Sequence, residues 1–238
     1  MKRVNLTQIL MAVGFTAALS VNAMAGSVTG TVKFEGAIPN FKEIKMDADP
    51  MCSAQHKDAV YPQTLVLGEG QTMGNVFVQI KNAPQGGKAL TEPFVVDQKG
   101  CNYHPHVFGV MVNQPVKVLN PDGTLHNVHA LSKVNQEFNI AMPKFRTEVT
   151  KVWDKPETFF ALKCDVHPWM IAWVTVVPHP YFTVTQADGK FEIKDLPDGT
   201  YTVEAWHEKL GTKTATVTIA GGTASGTADF TFAAPTKK

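Results

Sequence analysis

One short segment of the sequence carries three side chains that bind transition metals. Cys164, His167 and Met170 form a Cys-x2-His-x2-Met run, and two further histidines, His126 and His129, precede it in the chain. Two imidazoles, one thiolate and one weakly bound thioether are the donors of a mononuclear blue-copper site. The run therefore predicts a copper site in which His126 or His129 supplies the second imidazole.

The chain on both sides of this run has the alternation of apolar and polar residues that is typical of β-strands. Strands are predicted over 158–164, which leads into the run, and over 171–177, directly after it. The run is then the loop between two neighbouring strands, and such a loop can direct all three side chains toward one point. Further strands are predicted over 27–34, 74–81, 114–120, 201–206 and 214–219.

The composition of the chain favours an all-β protein. Its 18 glycines and 15 prolines suit a fold with many turns, and Pro121-Asp122-Gly123 and Pro197-Asp198-Gly199 are turn signals. No stretch longer than about ten residues has a good helical period. Short helical turns are predicted only near 50–57 and in the segment after His129.

The chain has three cysteines, which is an odd number. Cys52 and Cys101 lie in polar, loop-like segments, whereas Cys164 ends an apolar strand. In an oxidising compartment the simplest arrangement is one disulfide, Cys52–Cys101, and one thiolate that a metal protects from oxidation. A pair of oxidation-sensitive thiols is the alternative for Cys52 and Cys101.

The N-terminal segment resembles an export signal. Lys2 and Arg3 precede an apolar stretch, and Ala23 and Ala25 are the small residues that a signal peptidase recognises. The stretch is shorter than the roughly 20 apolar residues of a membrane span, and no later segment approaches that length. We therefore expect cleavage before Gly26 and a periplasmic or secreted protein without an integral membrane segment. An uncleaved anchor is the alternative.

The two metal-binding segments resemble the ligand segments of cupredoxins, the family that includes amicyanin, pseudoazurin and plastocyanin. In that family a valine-rich strand ends in Asn, a short turn leads to His-Asn-Val, and the closing loop is Cys-x2-His-x2-Met. The corresponding positions here are Asn120, then 126–128, and then 164–170, within a similarity that covers about residues 97–177.

The resemblance implies one type 1 copper ion per chain, held by His126, Cys164, His167 and the axial Met170. His129 is then a structural or exposed residue. A structural zinc site with the same donors is the chemical alternative, although a thioether is a poor ligand for zinc.

The resemblance also implies roles for the neighbours of these ligands. Asn127 ties the two ligand loops together, Pro168 restricts the backbone after His167, and Trp169 screens the metal from water. The edge of His167 is expected to face solvent and to serve as the electron port. Family members often have proline directly before the first histidine, where this chain has Leu125.

A second resemblance concerns the C-terminal part of the chain. Residues 188–193 and 196–203 resemble the carboxypeptidase-regulatory-like, transthyretin-like β-sandwich, whose early strands are expected at 27–32 and 74–78. The implied fold is a Greek-key cupredoxin β-sandwich/barrel inserted into a small transthyretin-like sandwich. The expected divisions are a signal peptide (1–25), early sandwich strands (26–95), the copper domain (96–180) and the remaining sandwich (181–238). A longer first domain, 26–180, followed by a separate one is the alternative.

Electron transfer is the function that the cupredoxin resemblance implies, with a cytochrome, dehydrogenase or oxidase as the redox partner. A copper carrier, store or sensor and a metal-free interaction module are the alternatives. We expect no enzyme, because copper oxidases need histidine clusters that the eight histidines do not form. The near-neutral net charge of +1 and the lack of basic runs argue against nucleic acid as a partner. At His104 and His106 a packing role is favoured over a second metal, and packing is also favoured for Met142.

Overall fold

The structure, a computed structural model, describes residues 25–84, 88, 90–221 and 225–234. These residues form an almost entirely β-stranded protein, which confirms the predicted all-β class. The signal segment predicted at 1–25 lies outside the described residues, apart from Ala25. The strands are β1 (Gly26–Glu35), β2 (Val66–Leu67), β3 (Met73–Gly74), β4 (Phe77–Ile80), β5 (Phe94–Asp97), β6 (Val107–Met111), β7 (Val116–Leu119), β8 (His126–Ala130), β9 (Phe138–Met142), β10 (Glu148–Lys151), β11 (Glu157–Lys163), β12 (Ile171–Val177), β13 (Phe182–Val184), β14 (Lys190–Leu196), β15 (Gly199–His207), β16 (Gly211–Ile219), β17 (Ser225–Thr227) and β18 (Phe230–Ala233). The helical elements are α1 (Pro50–Ser53) and a 3-10 turn (Glu69–Gln71).

Strands β5 to β12 form a first β-sandwich. One sheet has the strand order β6-β12-β11-β8-β9 and the other has the order β10-β7-β5. Alternate residues of a strand point to the same face, so each strand turns one row of apolar side chains inward. On β7, for example, Val116 and Val118 are buried while Lys117 between them is partly exposed. The two sheets share one apolar core, in which Leu162 of β11 is fully buried.

Strands from both ends of the described chain form a second sandwich. Strand β1 pairs with β14 in antiparallel and with β17 and β18 in parallel orientation. The other sheet has the order β13-β4-β15-β16. Val28, Val78, Val203 and Phe232 are among the buried residues of the core that these sheets share. The domain boundaries expected from the sequence stay a prediction.

An aromatic cluster joins the two sandwiches. Trp206 of β15 stacks on Phe159 of β11 with ring centroids 3.5 Å apart, and Phe77 of β4 meets Phe159 edge-on at 5.4 Å. A buried pair formed by His106 and Glu208 adds a polar contact between the residue before β6 and the residue after β15. The second sandwich therefore packs against β11, the strand that leads into the metal-binding run.

A long connection between β1 and β2 crosses to the first sandwich. Asp49 caps α1 by accepting a backbone N–H of the first turn, and Pro50 occupies a position that needs no donor. Cys52 of α1 forms a disulfide with Cys101, which is the predicted pairing. We call residues 49–53 the disulfide cap, because this bond fastens them to the first sandwich.

The two predicted helical turns have different outcomes. The one near 50–57 is present as α1, whereas the segment after His129 continues as strand to Ala130 and then forms a loop. The prediction of a helical turn there is wrong. The carboxylate of Glu157 accepts the backbone N–H groups of three loop residues, so these donors are held in a turn around it.

Candidate metal centre

The predicted metal-binding run closes the connection between β11 and β12. Lys163 pairs with Ile171 at the end of the two strands, so that the chain must reverse within the run. Two hydrogen bonds tighten this reversal: the N–H of Cys164 donates to the carbonyl of Met170 (3.2 Å), and the N–H of Met170 donates to the carbonyl of His167 (2.9 Å). All three side chains are thereby held at one end of the first sandwich.

Strand β8 delivers the second imidazole to the same end. It pairs with β11, where His129 lies opposite Lys163, and it begins at His126. The turn before β8 is shaped by Asn120, whose amide donates to the carbonyls of Thr124 (3.2 Å) and Met142 (2.7 Å). His126 therefore faces the metal-binding run, which begins at Cys164.

Three donor atoms converge in the protein interior. The Nδ1 atoms of His126 and His167 are 3.0 Å apart, and the Sγ of Cys164 is 3.6 Å from the Nδ1 of His167. These ligand atoms all lie within 4.8 Å of one another, and Cys164 is the free cysteine of the chain. Met170 is fully buried in the same apolar core as Cys164. The four residues predicted as ligands thus occupy one region, and the first three form a candidate metal-binding group.

Each of the two imidazoles also contacts a carboxylate through its second nitrogen. The Nε2 of His126 is 3.0 Å from an oxygen of Asp122, and the Nε2 of His167 is 3.0 Å from an oxygen of Asp49. Because a carboxylate accepts, these contacts assign a hydrogen to each Nε2 and leave both Nδ1 atoms directed inward, where they can hold a proton or a metal. The second nitrogen of a metal-binding histidine commonly makes such a contact.

The surroundings change the proton affinities of the converging groups. Burial opposes a charged His126, but hydrogen bonds to Asp122 and Cys164 outweigh burial and raise the pKa of His126 to about 9. Burial likewise opposes the thiolate of Cys164, but hydrogen bonds from His126 and from backbone N–H groups lower the pKa of this thiol. The pKa of His167 is lowered, mainly by burial. These shifts favour an imidazolium–thiolate pair beside a neutral imidazole.

The donor set fits a cation that prefers nitrogen and sulfur ligands. Two facing Nδ1 lone pairs at 3.0 Å repel each other unless a proton or a cation lies between them. A thiolate and two imidazoles are suitable ligands for copper, and they form the His2Cys group of blue-copper sites. Zinc accepts the same three ligands but not the thioether of Met170 as a fourth.

The exposure of His167 differs from the expectation. Its side chain is only 2% exposed, because Asp49 and Cys52 of the disulfide cap lie over its Nε2 edge, with the Sγ of Cys52 at 3.5 Å. The predicted solvent-facing edge of His167 is therefore wrong for this structure. Pro168 is exposed, and Trp169 is partly buried and donates its Nε1–H to the carbonyl of Cys101 (3.0 Å).

Asn127 bridges the two segments that carry the ligands. Its Oδ1 accepts the backbone N–H of Asp165 at 2.6 Å, and its amide donates to the side chains of Asn139 (2.7 Å) and Asp165 (3.2 Å). The hydroxyl of Tyr103 adds a second bridge, since it lies 2.7 Å from the carbonyl of Asn127 and 3.2 Å from that of Lys163. The first bridge joins the residues that follow His126 and Cys164.

The other histidines lie outside the converging group. His129 is on the same strand as His126 but contacts Asp165 and Glu137 near the surface. His106 donates its Nδ1–H to the carbonyl of Ile171 and contacts Glu208. Within the described ranges, no candidate metal group includes His104 or His106.

Sequence reasoning missed three residues of the site: Asp49, Asp122 and Tyr103. Asp122 was interpreted only as part of a turn signal, although its position four residues before His126 is visible in the sequence. Asp49 and Pro50 form a helix-capping signature that predicts α1. This signature does not predict the contact of Asp49 with His167, which lies 118 residues further along the chain. Tyr103 gives no local signal of this kind.

Comparisons with known proteins find partial similarities. The model of one family, polysaccharide lyase family 4, domain II, matches residues 178–226. This segment overlaps the one for which a carboxypeptidase-regulatory-like module was predicted. No curated protein matches the chain.

Several solved structures resemble part of the chain. A mutant of amicyanin in the Cu(I) form is 23% identical, with 42% of this chain and 97% of that chain covered and a TM-score of 0.32. A purple cupredoxin from Nitrosopumilus maritimus is 20% identical, with coverages of 35% and 98% and a TM-score of 0.29. A Cu-containing nitrite reductase from Thermus scotoductus SA-01 is 21% identical, with coverages of 40% and 24% and a TM-score of 0.33. The match thus spans about a quarter of the nitrite reductase, and at these TM-scores the similarities carry no functional argument.

Among the described residues, no helix has both the length and the apolar character that a membrane crossing requires.

Proposed function

We propose that this chain is a mononuclear type 1 copper protein that transfers single electrons. The observation that supports this proposal is the convergence of the Nδ1 atoms of His126 and His167 with the Sγ of Cys164 in a buried site. His126, Cys164 and His167 hold the copper ion, and Met170 is its weak axial ligand. When bound, copper supplies a one-electron couple between Cu(II) and Cu(I).

The chain's own residues prepare this site in advance. Strand pairing and the bridge through Asn127 fix the spacing of the two ligand segments, so the donors require little rearrangement when the metal changes its charge. The fully buried positions of His126 and Cys164 exclude water from the centre. A rigid, dry site of this kind favours rapid electron exchange over ligand substitution.

The first test is addition of Cu(II) to the purified protein, followed by visible and electron-paramagnetic-resonance spectra. We expect one copper ion per chain, an intense thiolate-to-copper band and the narrow hyperfine splitting of a His2Cys centre. Cys164→Ser should remove the band. A band that persists in Cys164→Ser would show that the ligand set is wrong.

Paired variants separate the ligand histidine from its neighbour on β8. His126→Gln should lose the blue centre, whereas His129→Gln should keep it, because His129 lies at the surface against Asp165 and Glu137. The opposite result would assign the second imidazole to His129.

Copper carriage is the second candidate function, and it makes a different prediction about the reduced protein. A reversible one-electron wave in voltammetry, with copper retained over repeated cycles, supports electron transfer. Rapid loss of copper to a Cu(I) chelator upon reduction supports carriage. The disulfide cap favours retention, because Asp49 and Cys52 cover the Nε2 edge of His167.

The remaining expectations from the sequence belong to this proposal. They are export to the periplasm or the medium, the absence of enzymatic activity, and a redox partner such as a cytochrome, dehydrogenase or oxidase. The cupredoxin assignment of the first sandwich and the regulatory-like, transthyretin-like assignment of the second are proposed in the same way.

A further inference from the structure

Two carboxylates lie behind the candidate ligands, on the side away from Cys164. The side chain of Asp122 is 2% exposed and that of Asp49 is 19% exposed, so both contacts to the imidazoles are largely shielded from water. Each is 3.0 Å from one Nε2 atom. The two histidines therefore have the same arrangement, with Nδ1 toward the centre and Nε2 toward a carboxylate.

The protein holds both carboxylates in place through other contacts. Asp122 accepts the backbone N–H groups of Gly100 (3.0 Å) and Cys101 (2.7 Å). Asp49 accepts the N–H of Met51 (2.8 Å) and the hydroxyl of Thr124 (2.9 Å). Their orientation thus depends on the local backbone as well as on the imidazoles.

The Cys52–Cys101 disulfide joins the two segments that hold these carboxylates. Asp49 is the N-cap of the helix that contains Cys52, and Asp122 accepts the N–H of Cys101. The bond thus fastens the segment that carries Asp49 to the segment that binds Asp122. The disulfide cap therefore belongs to the candidate metal centre, in addition to its role in stabilising the fold.

A negative charge at Nε2 has two consequences for a metal at Nδ1. It fixes the tautomer that leaves Nδ1 free, and it makes the imidazole a stronger donor. A stronger donor and a nearby negative charge stabilise Cu(II) more than Cu(I), because Cu(II) carries the larger positive charge. Removal of either charge should therefore raise the reduction potential.

We propose that Asp49 and Asp122 are positioning residues of the centre, which orient the two imidazoles and lower its reduction potential. This inference rests on the proposed copper site. The disulfide cap supplies one of the two carboxylates and anchors the other.

The test is voltammetry of the copper-loaded variants Asp49→Asn and Asp122→Asn. Each should shift the Cu(II)/Cu(I) equilibrium toward Cu(I) by at least tenfold, which is about 59 mV for a one-electron couple. Glu137→Gln is the matched control. It removes one negative charge from a side chain that contacts His129 but neither candidate ligand imidazole, so its shift should be clearly smaller. Equal shifts in all three variants would show that the potential responds only to the loss of a negative charge, wherever it lies. That result would overturn the positioning role.

A second measurement uses the wild-type protein, in case a variant does not fold. In NMR spectra of the Cu(I) form, the Nε2–H protons of His126 and His167 should appear far downfield and exchange slowly with solvent. Rapid exchange at both would overturn the inference. A wild-type protein with no blue centre would instead refute the proposed function, so the two failures are distinguishable.

Discussion

At the scale of single residues, the candidate centre depends on which sulfur and nitrogen atoms are free to bind. Two buried methionines are candidates for its axial ligand: Met170 is the last residue of the run, and Met142 pairs with His126 across β8 and β9. The sulfur of Met142 is 3.1 Å from the amide nitrogen of Gln98, so it already has a hydrogen-bond donor. The structure thus distinguishes two buried methionines that the sequence alone separates only by the loop motif.

The first prediction concerns Met170. Met170→Leu should retain copper and its visible band but raise the reduction potential, because the lost thioether stabilises Cu(II) more than Cu(I). Met142→Leu is the matched control, with an equal change of side chain at a site where the sulfur is engaged by Gln98. Voltammetry of both variants measures the difference. A higher potential in Met142→Leu alone would show that Met142, and not Met170, is the axial ligand.

The second prediction concerns Glu157, a buried carboxylate that contacts none of the candidate ligands. Burial favours its neutral form, but hydrogen bonds from Ser132, Asn135 and the backbone N–H of Lys133 outweigh burial and lower the pKa of Glu157 from 4.5 to about 2. A folded-state pKa below the unfolded value stabilises the protein above about pH 5. That contribution, of order 3 kcal/mol, is lost as the pH falls toward 2.

Glu157→Gln should therefore lower the free energy of unfolding by about 2–3 kcal/mol at neutral pH and flatten its pH dependence between about pH 5 and 2. Urea denaturation at several pH values measures both effects. The exposed Glu148 provides the control variant, Glu148→Gln, which should change little. Parallel pH curves for wild type and Glu157→Gln would contradict the assignment.

At the scale of elements, strands were predictable and the cap was not. The apolar patterns of 158–164 and 171–177 predicted strands, which the structure has as β11 and β12. Buried and partly exposed residues alternate only over 171–174 of β12. The other residues of both strands, apart from the exposed Thr158, are buried or partly buried without alternation. The same patterns placed Cys164 and His167 in a loop between strands. The contact of Asp49 with His167 depends on a connection that crosses between sandwiches, and no local period encodes such a path.

The third prediction concerns the disulfide cap. The double variant Cys52→Ser/Cys101→Ser should lower the free energy of unfolding by about 2–5 kcal/mol, the range for loss of a native disulfide. It should also release copper faster, because α1 is then free to move away from the Nε2 edge of His167. Metal transfer to a strong chelator, followed by the loss of the visible band, measures the rate. An unchanged rate would mean that the cap does not control access to the metal.

At the scale of the whole molecule, the second sandwich packs directly on a strand of the first that leads to Cys164. Phe159 of β11 stacks on Trp206 of β15, and Trp173 of β12 meets Trp206 edge-on at 5.8 Å. Because cores transmit small displacements, the packing at this contact helps to hold the ends of β11 and β12 in register. The sequence shows these aromatic residues, but their meeting depends on pairing between distant strands.

The fourth prediction tests this coupling with Trp206→Ala. The substitution removes the stacked ring from Phe159 and from the edge of Trp173, and it should cost about 2–4 kcal/mol, less than a fully buried Trp→Ala change because Trp206 is partly exposed. Calorimetry of the wild-type protein should give one unfolding transition, and Trp206→Ala should give two. The proposed copper ligands all lie in the first sandwich, so copper should raise the midpoint of only one of the two transitions in the variant. Phe145→Ala, at a side chain that is 82% exposed, is the control and should leave a single transition. A single transition in Trp206→Ala would show that the two sandwiches still unfold as one unit and that the aromatic contact is not what couples them.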